Sequence, residues 1–243
     1  MEKSRDAGVT TASKFRISEA WARIIPFAGF MLFIGFAEGL RFLRSYDLIS
    51  FSDQSLLLIY PVKTLTTVVL LFCFYRRYSE LDWRDLRRIS ETLLSLLLGL
   101  GVFILWINMD WVFTSSPPAA GFNPGLFQDP LIVNGLIISR LAGAVLVVPL
   151  MEELFWRSFM LRYLIDGQFM KISIGQFTWF SCIAGAVLFG LEHNLIWAGI
   201  MAGFAYNFLL YRTKSVVQCI FAHAVTNLAL GIYVLVSGTW RLW

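Results

Sequence analysis

Two neighbouring carboxylates, Glu152 and Glu153, stand in the otherwise apolar stretch VPLMEELFWRSF. If this stretch spans a membrane, each ionisable group costs at least about 2.5–3.5 kcal/mol on insertion scales and calls for an explanation. Arg157 follows Glu153 at i+4, the spacing at which two side chains meet on one helix face. Glu152 has no such cation, because Phe155 and Trp156 occupy the corresponding positions. Packing alone can explain Glu153, with direct catalysis as the alternative, whereas Glu152 remains available for chemistry.

The chain contains two histidines, His193 in FGLEHN and His223 in FAHAVTN, both within predicted apolar spans. Asn227 follows His223 at i+4, which places an imidazole and an amide on the same helix face. A buried histidine taken alone is more often a core residue than a catalyst. At 1.5 Å per residue from the predicted cytoplasmic helix ends, however, these three residues and Glu152 lie within about 6 Å of one level. The four side chains are therefore predicted to be able to converge near the middle of the bilayer.

Such a group would suit the hydrolysis of an acyl bond, most naturally a peptide bond. A carboxylate among apolar side chains can serve as a general base toward water, and an imidazole can hold that water in place. His223 and Asn227 could supply two donors to the developing oxyanion.

A zinc site formed by Glu152, His193 and His223 is the alternative, since carboxylates and imidazoles are zinc ligands. The helical HExxH pattern is absent from the sequence, and these ligands would come from separate helices. Metal-free catalysis without a cofactor is therefore the favoured prediction.

The composition indicates the kind of protein fold that positions these residues. Of 243 residues, 58% are hydrophobic and 15% are charged, compared with about 45–50% and about 25% in soluble proteins. The net charge of +4 comes from basic residues that gather in short loops, which argues for contact with anionic lipid and against nucleic-acid binding. The three cysteines lie in apolar runs and predict neither disulfides nor a metal site.

We therefore predict an all-α, polytopic transmembrane helical bundle with about seven spans, or eight at most. The segment 131–139 is predicted to be a separate piece at the outer face, because a helix continuing from it to residue 164 would be ~51 Å long. The predicted spans are 24–40, 54–75, 92–109, 140–164, 177–193, 195–211 and 215–237.

Residues 1–243 are predicted to form one integral membrane domain, because the sequence shows no internal repeat or long linker. The basic segment 1–23 and the basic loop after the second span predict a cytoplasmic N-terminus. The loop from Asp110 to Asp129 has no lysine or arginine and is predicted to lie outside.

Three spaced motifs in residues 140–237 resemble the CAAX protease and bacteriocin-processing family of intramembrane proteases, also called CPBP or Abi. The first is two glutamates followed by an arginine four residues after the second. The second is a phenylalanine four before a histidine, and the third is a histidine four before an asparagine. They match Glu152, Glu153 and Arg157, then Phe189 and His193, then His223 and Asn227.

The resemblance implies that Glu152 activates water, assisted by His193, and that His223 and Asn227 polarise the scissile carbonyl. It also implies that Glu153, Arg157 and Phe189 support this site. The segment 140–237 would then be the catalytic core.

Bacterial relatives associated with exosortase sorting systems are also similar around the first motif, which implies a bacterial inner membrane. Prenylated CAAX peptides, bacteriocin leaders and the tails of sorted proteins are the substrates that the family allows. In this sequence Glu192 precedes His193, where relatives commonly carry a small or apolar residue.

A non-catalytic transporter or binding scaffold that uses the same polar cluster is the competing hypothesis. Transporters often carry paired repeats, which this sequence lacks. Glu38 and Lys63 in the early spans are predicted to snorkel or pair near the span ends, with a place along a substrate path as the alternative.

Overall fold

The computed structural model describes the backbone of residues 7–113 and 121–243, and the side chains within 19–109 and 121–243. This part of the chain folds into helices and turns without a strand, which confirms the predicted all-α class. In chain order the helices are α1 (Ala7–Ser45), α2 (Asp53–Leu57), α3 (Ile59–Phe74), α4 (Ile89–Phe113), α5 (Pro130–Tyr163), α6 (Trp179–Leu191), α7 (Ile196–Thr213) and α8 (Val216–Ser237).

The protein is an integral membrane protein. Large apolar side chains remain on its outer surface, among them Leu131 at 82% exposure and Val236 at 84%, as suits contact with hydrocarbon. Helix α6 has 13 residues, and α7 is not among the stretches long and apolar enough to span, so the count of seven spans stays a prediction. Among the described residues, five stretches meet that criterion: Glu19–Ser45, Asp53–Arg77, Ile89–Met109, Pro130–Tyr163 and Val216–Ser237.

The predicted orientation rests in part on segments outside the described residues. Most side chains of the basic segment 1–23 are not described, nor are those of residues 110–120 in the predicted outer loop. The cytoplasmic N-terminus therefore stays a prediction.

The prediction that 131–139 forms a separate outer piece is wrong, because α5 is one continuous helical run of 34 residues. Its start is well specified: Pro130 occupies the first turn and the Asp129 side chain accepts from the Leu131 N–H. Arg140 does not have to end the helix at a polar boundary, because its guanidinium lies 4.5 Å from the centre of the Tyr60 ring. A run this long fits the bilayer by tilting or by extending beyond it.

Small residues bring the helices around the site into close contact. A Cβ added to Gly199 would lie 2.9 Å from Cα of Gly190, and one added to Gly203 would lie 2.9 Å from Cα of Ala186, so α6 and α7 touch backbone to backbone. The spacing of Gly199 and Gly203 on one face of α7 thus allows this close helix packing. Gly99 allows the same approach between α4 and α8, where its Cβ would meet the Ala222 carbonyl oxygen at 2.4 Å.

A buried ion network ties the turn after α3 to α1 and α5. Arg23 donates to both carboxylate oxygens of Glu80, at 2.9 and 2.7 Å, and to the Ser158 hydroxyl at 3.1 Å. Ser158 also donates to Glu80. Burial acts to raise the pKa of the Glu80 carboxyl, but the hydrogen bonds and charge of Arg23 outweigh it and hold that pKa below its ordinary value of 4.5.

We expect Glu80 to make the fold sensitive to acid. A carboxyl whose pKa is lower in the folded state stabilises that state above the unfolded pKa of about 4.3, and this stabilisation disappears as pH falls through the folded value. Glu80→Gln should lower the free energy of unfolding at pH 7 by ~2 kcal/mol and flatten the decline in melting temperature below about pH 4.5. Thermal unfolding in detergent from pH 7 to pH 3 checks this, and parallel curves for both proteins would contradict it.

Candidate active site

A cavity of about 340 Å³ lies among α1, α3, α4, α5 and α8 and is closed on one side by the turn between α6 and α7. It brings the predicted catalytic residues together on one wall, and cationic side chains, among them Lys63 and Arg140, line its other end. The lining includes Glu152, Phe189, His193, His223 and Asn227, together with Glu192, Lys63 and Arg140.

The glutamates lie on a short α-helical part of α5, Val148–Glu153, between the π-helical stretches Gly143–Val147 and Leu154–Met160. Pro149 explains the first stretch locally, since proline has no N–H to donate and disturbs the preceding turn. The Val148 N–H bonds to the Gly143 carbonyl in π pairing, and the same pairing would match Ala144 with residue 149, which is proline.

Asn227 supplies the Ala144 carbonyl with a donor, which Pro149 cannot do. Its side-chain amide donates to the Ala144 oxygen at 2.7 Å. Asn227 thus joins α8 to the wall of the cavity and keeps one further amide N–H. The predicted oxyanion donor therefore also has a structural role that the sequence spacing did not indicate.

Glu153 is fully buried, and its two carboxylate oxygens contact two different side chains, Arg157 and His223. Its Oε2 forms an ion pair with Arg157 Nε at 3.1 Å, as the i, i+4 spacing predicted. Its Oε1 accepts from His223 Nδ1 at 2.8 Å, a contact that the sequence did not predict. Arg157 also lies 4.4 Å from the centre of the Phe189 ring, so Phe189 supports the buried guanidinium.

His223 is held from two sides, and one of its nitrogens is left for a ligand. The Tyr206 ring stacks on the imidazole with centroids 5.1 Å apart. Because an ionised carboxylate only accepts, Nδ1 must donate to Glu153. Nε2 is therefore the nitrogen through which His223 can act on a molecule in the cavity.

Glu152 differs from its neighbour in forming no ion pair with any side chain that the structure describes, whereas Glu153 forms one with Arg157. Its side chain is buried at 5% exposure, and its Oε2 has no hydrogen-bond partner among the described residues. Buried polar atoms are seldom left without a partner in folded proteins. An unpartnered carboxylate oxygen on a cavity wall is suited to hold a water molecule.

His193 lies in a turn two residues after α6 ends at Leu191, although the sequence predicted it within a span. Its Nδ1 is 2.7 Å from the Phe189 carbonyl oxygen, which only accepts, so Nδ1 donates and Nε2 carries a lone pair in the neutral imidazole. Trp106 from α4 meets the imidazole edge to face, with centroids 5.4 Å apart. The ring is thereby oriented from both sides.

Glu192 is part of the site, although the motif comparison marked it only as a departure. Its Oε1 accepts from Trp156 Nε1 at 3.0 Å, and its Oε2 has no partner among the described side chains. One potential ligand atom each from Glu152, Glu192 and His193 lie within 4.8 Å of one another. The set of potential metal ligands that the described residues bring together thus contains Glu192 in place of His223, the residue predicted for a zinc site.

Two cationic residues, Lys63 and Arg140, also line the cavity; a place along a substrate path was the alternative prediction for Lys63, whereas Arg140 was expected only at a helix boundary. Glu38 pairs with Arg41, as the pairing hypothesis allowed. Lys63 instead points its ammonium at the Phe30 ring, 4.3 Å from the centroid, on the cavity wall. In the sequence, only the position of these charges deep within apolar stretches indicates that they could line the cavity.

Comparison with protein-family models matches residues 134–229 to the family described as type II CAAX prenyl endopeptidase Rce1-like. The match contains all three motifs and leaves α1, α3 and α4 outside it. No curated protein and no solved structure matches the chain.

Proposed function

We propose that this chain, whose residues 134–229 match the Rce1-like type II CAAX prenyl endopeptidase family, hydrolyses a peptide bond through a water molecule activated by Glu152. Members of the family are intramembrane proteases that act on membrane-associated proteins. The observation that carries the mechanism is the buried Glu152 carboxylate, whose Oε2 lacks a partner among the described residues on the wall shared with both histidines.

In the proposed reaction, Glu152 takes one proton from a water molecule, and the water oxygen forms a bond to the scissile carbonyl carbon. The lone pair on His193 Nε2 accepts the other water proton in a hydrogen bond and so orients the attack. When the C–N bond breaks, Glu152 returns its proton to the amine nitrogen. The products are one carboxylic acid and one amine, and the carboxylate of Glu152 is regenerated.

The negative charge on the carbonyl oxygen would be stabilised from the α8 side. A doubly protonated His223 would donate from Nδ1 to Glu153 and from Nε2 to the oxyanion. The second amide N–H of Asn227 can add a donor, since the first is bound to Ala144. Prearranged donors of this kind each contribute roughly 2.7–4 kcal/mol in an enzyme where one was removed.

A divalent metal is the alternative means of activating water. Glu152, Glu192 and His193 fit a three-ligand catalytic zinc site, because their potential ligand atoms lie within 4.8 Å of one another. A metal held there would lower the pKa of a bound water molecule and polarise the substrate carbonyl. We favour direct action of Glu152, since His223, with Glu153 on its Nδ1, can donate to the oxyanion without a metal.

We expect the purified protein in nanodiscs to cleave a library of lipid-anchored decapeptides and to continue after exhaustive removal of metal with EDTA. Cleavage is read by mass spectrometry of the products, and residual zinc by elemental analysis. Glu192→Gln, which keeps an acceptor for Trp156, serves as the matched variant and should retain activity. Activity lost on chelation and restored by zinc would overturn the metal-free mechanism, and an inert wild-type protein would overturn the proteolytic function.

The predicted orientation bears on the source of the substrate. With a cytoplasmic N-terminus, the cavity end lined by Tyr60, Arg140 and Trp243 lies toward the outer face of the bacterial inner membrane. We therefore propose that the substrate is the tail of an exported, membrane-associated protein. This favours sorted-protein tails over prenylated peptides, which carry a modification made in the cytoplasm.

A further inference from the structure

Two cations stand at the end of the cavity away from Glu152 and share one aromatic wall. Lys63 Nζ lies 4.8 Å and the Arg140 guanidinium 4.5 Å from the centre of the Tyr60 ring. Phe122 and Trp243 add further ring contacts to Arg140, at 5.4 and 5.8 Å. The wall thus fixes two positive charges beside the space that leads to the proposed catalytic group.

Neither cation has a carboxylate partner within the described part of the chain. Glu38 lines the same cavity but pairs with Arg41, and Arg140 Nε is buried without an acceptor among the described residues. A cation–π contact offsets only part of the cost of burying a charge in an apolar span. Two like charges held together at this cost indicate an anionic ligand.

The register of α3 and α5 sets the distance from these cations to Glu152. Tyr60 Oη donates to the Arg140 carbonyl at 3.3 Å, and Leu71 packs in the same buried cluster as Met151. A Cβ built on Gly143 would lie 2.9 Å from Thr64 Oγ1, so residue numbers rise together along both helices and the helices run in the same direction.

Lys63 therefore stands level with about residue 143 of α5. From that level, Glu152 is ~13 Å further along the helix axis, the span of about four extended residues. A cavity of about 340 Å³ has the size of a small-ligand site and connects the two ends.

We propose that Lys63 and Arg140 bind the free C-terminal carboxylate of the substrate peptide and thereby place a bond about four residues from that end beside Glu152. This inference rests on the proposed function. Arg140 supplies planar N–H donors suited to a carboxylate, and Lys63 adds a second charge. A lipid phosphate would satisfy the same cations, but the continuous cavity toward Glu152 favours the peptide.

The test measures binding separately from cleavage. Glu152→Gln protein in phosphatidylcholine nanodiscs is titrated with a fluorescent apolar hexapeptide ending in a free carboxylate, and with the same peptide as its carboxamide. We expect the acid to bind at least ~10-fold more tightly, the difference expected from charge-assisted hydrogen bonds. Adding Lys63→Met or Arg140→Met should remove most of this preference without changing the affinity for the amide.

Arg41→Met is the matched control, since it removes a cation near the cavity that already has a carboxylate partner. It should keep the preference for the acid, and melting temperatures verify that all variants are folded. Equal affinities for acid and amide, or a preference that survives both substitutions, would overturn the proposal. If both peptides fail to bind in phosphatidylglycerol nanodiscs and Lys63→Met restores their binding, the two cations bind a lipid phosphate and not the peptide carboxylate. If the wild-type protein fails to cleave any peptide, the proposed function is refuted, but the binding assay still tests whether Lys63 and Arg140 bind a carboxylate.

Discussion

Glu152→Gln is expected to lower the rate of peptide cleavage at least ~1,000-fold, within the range that general bases contribute. The amide has nearly the same shape as the carboxylate but cannot take a proton from water. Because Oε2 of Glu152 has no partner among the described residues, the substitution breaks no known contact there. The melting temperature of the variant should therefore stay at or above that of the wild-type protein.

Single-turnover cleavage with saturating peptide, alongside thermal unfolding in the same nanodiscs, makes this measurement. Glu192→Gln is the appropriate control, since it changes the other carboxylate in the site, whose Oε2 also lacks a described partner. A Glu152 variant that retained a tenth of the activity would exclude this residue as the base. A Glu152 variant that unfolded would indicate a structural role for Glu152. Such a role is instead expected of Glu153, which is fully buried and paired with Arg157.

Local rules applied to the sequence predicted the helical class and the placement of Glu152, His193, His223 and Asn227 near one another. The spacing of Glu153 and Arg157 on one helix face predicted their ion pair correctly, because i and i+4 side chains meet wherever the helix forms. The depth argument likewise brought Glu152, His193 and His223 to one cavity. Such predictions depend only on helix geometry and the position of apolar runs.

Contacts between helices distant in the chain could not be read in the same way. No spacing indicates that His223 would meet Glu153, or that Asn227 would satisfy Ala144, since these pairs depend on how α8 packs against α5. The prediction of a helix break before residue 140 was wrong for a similar reason. Aromatic rings from α3 and the segments around residues 122 and 243 accommodate Arg140 within one long helix.

Substituting Glu153 is expected to affect both stability and activity, through different contacts. Glu153→Ala leaves the buried Arg157 charge without its carboxylate and should lower the free energy of unfolding by about 3–5 kcal/mol. The sequence alone predicted chiefly this loss of stability. The contact between Glu153 and His223 Nδ1 at 2.8 Å adds an expectation about the reaction, with Glu153 as a positioning residue.

The double variant Glu153→Leu with Arg157→Met separates the two effects. It removes both buried charges together, and replacing a buried ion pair by apolar side chains is often neutral for stability. The double variant should therefore recover much of the stability lost in Glu153→Ala, whereas turnover stays at least ~100-fold low because His223 lacks its orienting acceptor. Chemical denaturation and kcat, measured on the same preparations, distinguish the roles. Recovery of both stability and turnover would mean that Glu153 only balances Arg157, and that His223 is oriented by its stacking on Tyr206 alone.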